Sequence, residues 1–381
     1  MANRLALALC VFISFVVVAC APRTAKPVAD EVTITGSVVD PAGRPVAGAE
    51  ITLGGARVAA DAKGAFTVKQ KLSPERLLLG VKAPGYVAAS RVLTLSTAGE
   101  IKPRPLVLRT LAKPTVLPAE RGGQIRFGDG GMLVVPANAF VGADGNPAKG
   151  QVSVSVTPIN VSDPAALPTA PGDFTATAAD GKVVKLQSYG MFDFQASDAE
   201  GRPLSVAPGV ELPFTLRLPD RPRPPPGEAI GLYRFDQAAG RWASMGAIRQ
   251  TVSLVYGGVI TSTGEWNADD PFETTCITIR AYSVDVQTQA QVPFPNAEVW
   301  AQGVDYASTS VGHTNANGLV CLLVKRNATV SITAYSGNWT TMTPTVLQTP
   351  NIQSGAGDCG NPDLCPLVTS IVMDLVVGMP E

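Results

Sequence analysis

The chain has 381 residues, with 30 Lys or Arg against 31 Asp or Glu and a single His, for a formal net charge of −1. A balance this even supplies no basic field for nucleic acid, so no nucleic-acid partner is expected. With 37 Gly, 32 Pro, only 16% charged residues and few Lys/Glu-rich stretches at helical spacing, the composition excludes a helical bundle and points to an all-β chain of two or three domains.

The N-terminus comes first. Met1-Ala2-Asn3-Arg4 carries one positive charge, residues 5–19 are apolar apart from Ser14, and Cys20 closes the run. A charged start, a short apolar stretch and small residues at its end describe a secretory signal peptide. The stretch is too short to span a bilayer comfortably. Val17-Val18-Ala19-Cys20 resembles the lipobox of bacterial lipoproteins: an aliphatic residue, a small residue, then cysteine. The resemblance implies removal of residues 1–19 (with Cys10) and lipidation of Cys20 by diacylglycerol and a further acyl chain such as palmitate. Two or more chains anchor stably where one does not. Residues 20–31 then read as a short tether. Ala21 stands where an inner-membrane retention signal would place Asp, which implies the outer membrane of a cell envelope.

Residues 32–110 form the first expected domain. Val32-Thr33-Ile34-Thr35 alternates like a half-buried strand. Asp40-Pro41-Ala42-Gly43 and Asp61-Ala62-Lys63-Gly64 read as turns, and short strands lie between them. The spaced set Gly36, Val38, Asp40, Gly43, Pro45-Val46, Gly48-Ala49, Ile51, then Asp61, Gly64, Phe66, then Ala83-Pro84-Gly85-Tyr86, resembles the carboxypeptidase regulatory-like domain. That family implies a transthyretin-like (prealbumin-like) β-sandwich and a non-catalytic accessory role.

Residues 111–270 are expected to be a β-rich middle domain. Gly122-Gly123-Gln124-Ile125 followed by Gly131-Met132-Leu133-Val134-Val135-Pro136 resembles the β-domain shared by ankyrins and netrin receptors. Residues 219–226, rich in proline, read as a stiff loop. Residues 271–381 look like a divergent second copy of the first domain. Pro295-Asn296-Ala297-Glu298-Val299 parallels Ala47-Gly48-Ala49-Glu50-Ile51, and the segment from Thr314 to Leu319 parallels that from Asp61 to Phe66. The copy departs at its first turn, where residues 285–293 lack glycine. The expected fold is therefore all-β: tandem antiparallel sandwiches, with the first and last transthyretin-like.

Four cysteines remain beyond Cys20: Cys276, Cys321, Cys359 and Cys365, all in the last domain. Export places them where disulfides persist, and three connectivities are open. Chain position favours Cys276–Cys321 across the sandwich and Cys359–Cys365 closing a tight loop. A zinc site is disfavoured because there is no Cys-x-x-Cys and His313 is not at ligand spacing. No metal or other cofactor is expected.

No nucleophile elbow, phosphate loop or His-Glu-x-x-His helix occurs. His313 reads as a surface residue near a turn, and no catalytic residue is expected. Asp129, Asp144, Asn146 and Asp180 read as turn chemistry rather than a calcium loop. Trp339, Trp300 and Tyr335 are the candidate glycan contacts, weighed against aromatic burial. Of Val299 and Trp300, neighbours in one strand, one should face outward. The expected function is a non-enzymatic, membrane-anchored envelope lipoprotein serving as a structural or interaction module, with an envelope protein or glycan as partner. A carbohydrate-binding surface protein is the alternative, and an enzyme in the middle domain comes third.

Overall fold

A computed structural model describes residues 31–224 and 229–376, so the leader, Cys20 and the tether to residue 30 lie outside the described residues. The expected all-β class holds. The only helical segments among the described residues are two short 3-10 turns, Leu167–Thr169 and Ala356–Asp358. No helix among them is long and apolar enough to cross a membrane.

Two facing four-stranded sheets make up the N-terminal unit. One orders Ala65–Lys71, Glu31–Val39 and Gly99–Ile101, with Leu106–Val107 also on Glu31–Val39. The other orders Ala56–Ala59, Glu50–Leu53, Ser73–Lys82 and Ala89–Leu95. Alternation along the strands turns Val32, Ile34, Ile51, Leu53, Leu79 and Leu93 into the shared core. The pairing is mainly antiparallel, as expected, with a few parallel pairs. Glu31–Val39 takes Gly99–Ile101 and Leu106–Val107 as parallel neighbours, because the chain crosses back from the second sheet before it leaves the unit.

The C-terminal unit repeats this plan. Glu298–Gly303 pairs with Thr309–His313 and Thr329–Ser336, as Glu50–Leu53 pairs with Ala56–Ala59 and Ser73–Lys82. Thr274–Val284 takes Leu319–Lys325 antiparallel and Leu367–Val372 parallel. The turns correspond atom for atom. Asp61 accepts the Lys63 and Ala65 amides on Oδ1, and Asn315 accepts those of Asn317 and Leu319. Gly64 and Gly318 follow, at φ +73° and +72°. A Cβ on Gly64 would collide with the Val38 carbonyl, and one on Gly318 with the Ala281 carbonyl, so both positions require glycine. Where the second copy lacks glycine, Gln289 (φ 58°) and Asn296 (φ 58°) adopt the left-handed conformation themselves.

Between these units runs an eleven-stranded sheet. Its path starts at Gly123–Phe127 and ends at Thr115–Pro118, two strands consecutive in the chain. The ladder therefore curls around one core of Val152, Val154, Phe192, Phe194, Phe214 and Trp266, among others. Leu117 lies where a Cβ on Gly123 would point, so the two end strands abut. Its longest strand, Val183–Ser197, pairs with Gln151–Ile159 on one side and Gly264–Phe272 on the other. A second cluster, including Phe174, Leu186, Tyr233 and Trp242, takes in Ala307 of the C-terminal unit and packs against Leu78 of the N-terminal one.

Gly318→Ala is expected to lower unfolding free energy by about 1–3 kcal/mol, through left-handed strain plus the carbonyl clash. Gly43→Ala, at φ +77° with open space around it, should cost less. Denaturant unfolding of both variants checks the difference.

Candidate functional site

The charged residues of the central strands are mostly buried, and each cluster lies where two or three units meet. Asp173 is the first centre. Arg76 of the N-terminal unit donates to both its carboxylate oxygens, at 2.8 and 2.9 Å. Lys185, on the central strand, donates to the Asp173 backbone carbonyl and, at 3.1 Å, to the Thr309 carbonyl of the C-terminal unit. Burial would raise the Asp173 carboxyl, but Lys185 and Arg76 together hold it well below the usual carboxylate range. Burial pushes the Lys185 ammonium down to about 8, against the pull of Asp173. The Asp173 carboxylate thus ties in the N-terminal unit, and Lys185, bonded to the same residue, ties in the C-terminal one.

The second centre joins the terminal units directly. Glu298, fully enclosed, accepts from Arg91 Nη1 at 3.3 Å and from the Arg104 amide at 2.9 Å. Burial acts to raise its carboxyl, yet its charged and hydrogen-bonding neighbours, Arg91 foremost and then His313, outweigh this and hold it lowered. Both guanidinium groups lie over the Trp300 ring, at 5.1 and 5.5 Å from its centroid. His313 sits opposite Glu298 in the strand register, and burial lowers its pKa.

At the third centre, Asp193 and Glu265 face each other across paired strands, and Arg109 donates to Glu265. One cation serves two enclosed carboxylates. Burial pushes Asp193 up to about 6 and, with Asp193 adding to the effect, Glu265 up to about 8. Nearby, Ser188 donates to Asn267 at 2.6 Å, and Asn267 donates to Asp269 at 2.6 Å. An amide occupies the middle of this chain, where nucleophilic catalysis would need a base. A cleft of about 630 Å³ opens between the middle loops and the C-terminal unit. On its floor Lys325 donates to Gln187 at 2.7 Å and lies over the Tyr306 ring.

Several expectations are corrected here. Trp300 and Val299 are both buried, at 4% and 0% exposure, because the N-terminal unit covers the face that a lone sandwich would leave open. Trp300 therefore offers no platform to a glycan. Trp339 is half-buried against Phe294, and Tyr335 is half-buried on the neighbouring strand. His313 is enclosed rather than on the surface, for the same reason as Trp300. Asp144 and Asp180 accept from the residues two positions on, as turn chemistry requires.

The favoured disulfide pairing is also replaced: the bonds are Cys276–Cys365 and Cys321–Cys359. Register explains it. Cys276 faces Leu323, and Cys321 faces Thr278, so the two cysteines are diagonal neighbours. Diagonal positions lie about 7–8 Å apart, beyond ordinary disulfide reach. The observed pairs have Cα separations of 4.8 and 5.8 Å.

No motif marks Arg76, Arg91, Arg109, Asp173, Lys185 or Glu265 in the chain. The one available signal is a charged residue inside an apolar strand pattern, as in Val183-Val184-Lys185-Leu186.

Residues 33–102 match the carboxypeptidase regulatory-like domain. Human cartilage intermediate layer protein 2 is 28% identical over 276 residues, covering 65% of this chain and 23% of that protein. The mouse protein of the same name is 27% identical over 273 residues, covering 64% and 23%. The chain thus spans about a quarter of the length of these relatives. Among solved structures, a variant of the major pilin subunit of Bacillus cereus aligns with 91% of this chain and 99% of its own, at 10% identity and a TM-score of 0.19. The Bacillus anthracis TIE protein aligns with 90% of this chain and 50% of its own, at 12% identity and a TM-score of 0.20. Scores this low transfer neither an arrangement of units nor a role.

Arg91→Ala, which strands the enclosed Glu298 carboxylate, should cost about 3–5 kcal/mol, whereas Arg91→Met with Glu298→Leu should cost less than that single change. Chemical denaturation of both variants measures the comparison. A second expectation concerns pH. The raised Glu265 carboxyl binds its proton more tightly when folded, so its stabilising contribution is full below about 4.5 and is lost as pH rises through about 8. Glu265→Gln should flatten the fall in stability between those limits, as melting temperatures recorded across that range will show.

Proposed function

We propose that this chain is a non-enzymatic structural and interaction module of the cell envelope, presented outside the cytoplasm and held at the outer membrane through acylated Cys20. The observation that carries the reading is the Asp173 centre, where Arg76 binds the buried carboxylate and Lys185 bridges the Asp173 and Thr309 carbonyls, so that three β-units meet in one network. A protein that transmits or presents a surface benefits from units fixed relative to one another. The regulatory-like domain match is to a family of typically non-catalytic modules. Paired cysteines suit an oxidising setting outside the cytoplasm. The name of the human relative sets that protein in a layer of cartilage, a structural setting of the kind proposed here.

Replacing Cys20 by Ser tests the anchor. The wild-type chain should fractionate with membranes and label with radioactive palmitate. The Cys20→Ser chain should be released or remain unprocessed, without label. A Cys20→Ser chain that still matures and pellets with membrane lipid would overturn the anchoring.

A further inference from the structure

The cleft of about 630 Å³ between the middle loops and the C-terminal unit has a floor held together across both units. Lys325, the last residue of Leu319–Lys325, donates to Gln187 Oε1 of the middle unit at 2.7 Å. The Ser188 amide donates to the Ala307 carbonyl at 2.8 Å, and Gln302 Nε2 to the Pro164 carbonyl at 2.7 Å. Gly303 lets Tyr306 lie across the floor, since a Cβ there would collide with the Tyr306 carbonyl and ring. The volume falls within the roughly 300–1,000 Å³ usual for small-ligand sites.

Three cations and two carboxylates line the cleft: Arg221, Arg223 and Lys325 against Asp220 and Asp305. Among the described residues none of the three cations takes part in an ion pair. The Lys325 ammonium is half-buried and meets only a neutral amide and, at 5.5 Å, the face of the Tyr306 ring. Burial lowers its pKa, against the pull of Asp305. A cation withdrawn this far from water is ordinarily paired. Asp305 is committed elsewhere, since its carboxylate accepts the Thr329 amide at 3.1 and 3.2 Å. Asp220 stands exposed at the rim. The lining thus carries one positive charge in excess, beside a carboxylate that calls for hydrogen-bond donors.

A ligand suited to this lining combines one anionic group with hydroxyls. The anion answers Lys325 and the arginines. The hydroxyls donate to Asp220 and accept from Gln187 Nε2, whose Oε1 is already taken by Lys325. A bare anion such as phosphate would set a like charge against Asp220. A peptide would find no open strand edge. The Gly303 amide is bonded to the Ser308 carbonyl, the Val304 amide to the Thr329 carbonyl and the Ala307 carbonyl to the Ser188 amide. A second hollow, of about 540 Å³, shares Gln187 and Lys325, so the groove runs on past a single sugar ring. We propose that the cleft binds a carboxylated saccharide of the uronate type, with its carboxylate on Lys325 and Arg221 and its hydroxyls on Asp220 and Gln187. Neither Trp300 nor Trp339 takes part. This inference rests on the reading of the chain as an interaction module, to which it gives a ligand class, and not on the anchor at Cys20.

The test is calorimetric titration of the detergent-solubilised full chain, at low salt, with trigalacturonate, its methyl ester, inorganic phosphate and triglutamate. Trigalacturonate should bind, and the uncharged ester should bind about tenfold more weakly or worse. Lys325→Met and Arg221→Gln should each weaken trigalacturonate about tenfold. Arg221 is exposed at the rim, so its variant carries the comparison if Lys325→Met does not fold. Asp220→Asn should weaken trigalacturonate while tightening phosphate, a reversal that a simple anion site would not show. Equal affinity for the ester, tighter binding of phosphate or triglutamate, full affinity in Arg221→Gln, or no binding of trigalacturonate at millimolar concentration would each overturn the proposal. None of these outcomes bears on where the chain fractionates, so the Cys20→Ser result stands or falls separately.

Discussion

The arrangement of the molecule depends on one buried carboxylate. Asp173 is satisfied only when Arg76 from one side and Lys185 from its own unit are both in place, and Lys185 in turn reaches a carbonyl of the third unit. An apolar contact would tolerate sliding between sheets. A desolvated carboxylate does not, because losing either cation leaves an uncompensated charge in a medium that solvates it poorly. The same logic repeats at Glu298, whereas at Glu265 burial wins over Arg109 and favours the protonated carboxyl. The polar outer face of the central sheet is thereby converted from a liability into the means by which the flanking units are oriented.

The two outer sandwiches show how one plan is put to two uses. Glu50 and Glu298 hold corresponding places, each opening a strand that pairs with the same two neighbours. Glu50 remains at the surface and meets Arg57 there, with its side chain 44% exposed. Glu298 is fully enclosed and meets Arg91 from the other sandwich. The same residue type stands in both places while its surroundings differ, so a solvated ion pair of small value in one sandwich corresponds to a decisive internal one in the other.

How much of this was legible in the sequence follows from the range of each interaction. Strand periodicity and turn geometry are local, so the all-β class, the Asp61 to Gly64 turn and its counterpart at Asn315 to Gly318 could be read directly. The disulfide partners could not. Their choice rests on a two-residue offset between strands, which no count of cysteines reveals. The burial of Trp300 and His313 is not legible for a related reason. A single sandwich would leave their face open, and the cover arrives from residues about two hundred positions earlier. The Asp173 centre had no signature beyond a lysine in an apolar run, since its three contributors are brought together only by the packing of complete units.

The Arg91–Glu298 pair spans 207 residues of chain. Closing a contact of such separation is entropically costly and slow, and it cannot begin until most of the polypeptide has emerged. The first sandwich has local pairings enough to fold early, as N-terminal domains do during synthesis. It must then wait, with a basic face uncovered, for the last sandwich to present its acid. For a chain threaded outward from its N-terminus, that interval sets the period in which a chaperone would have something to hold.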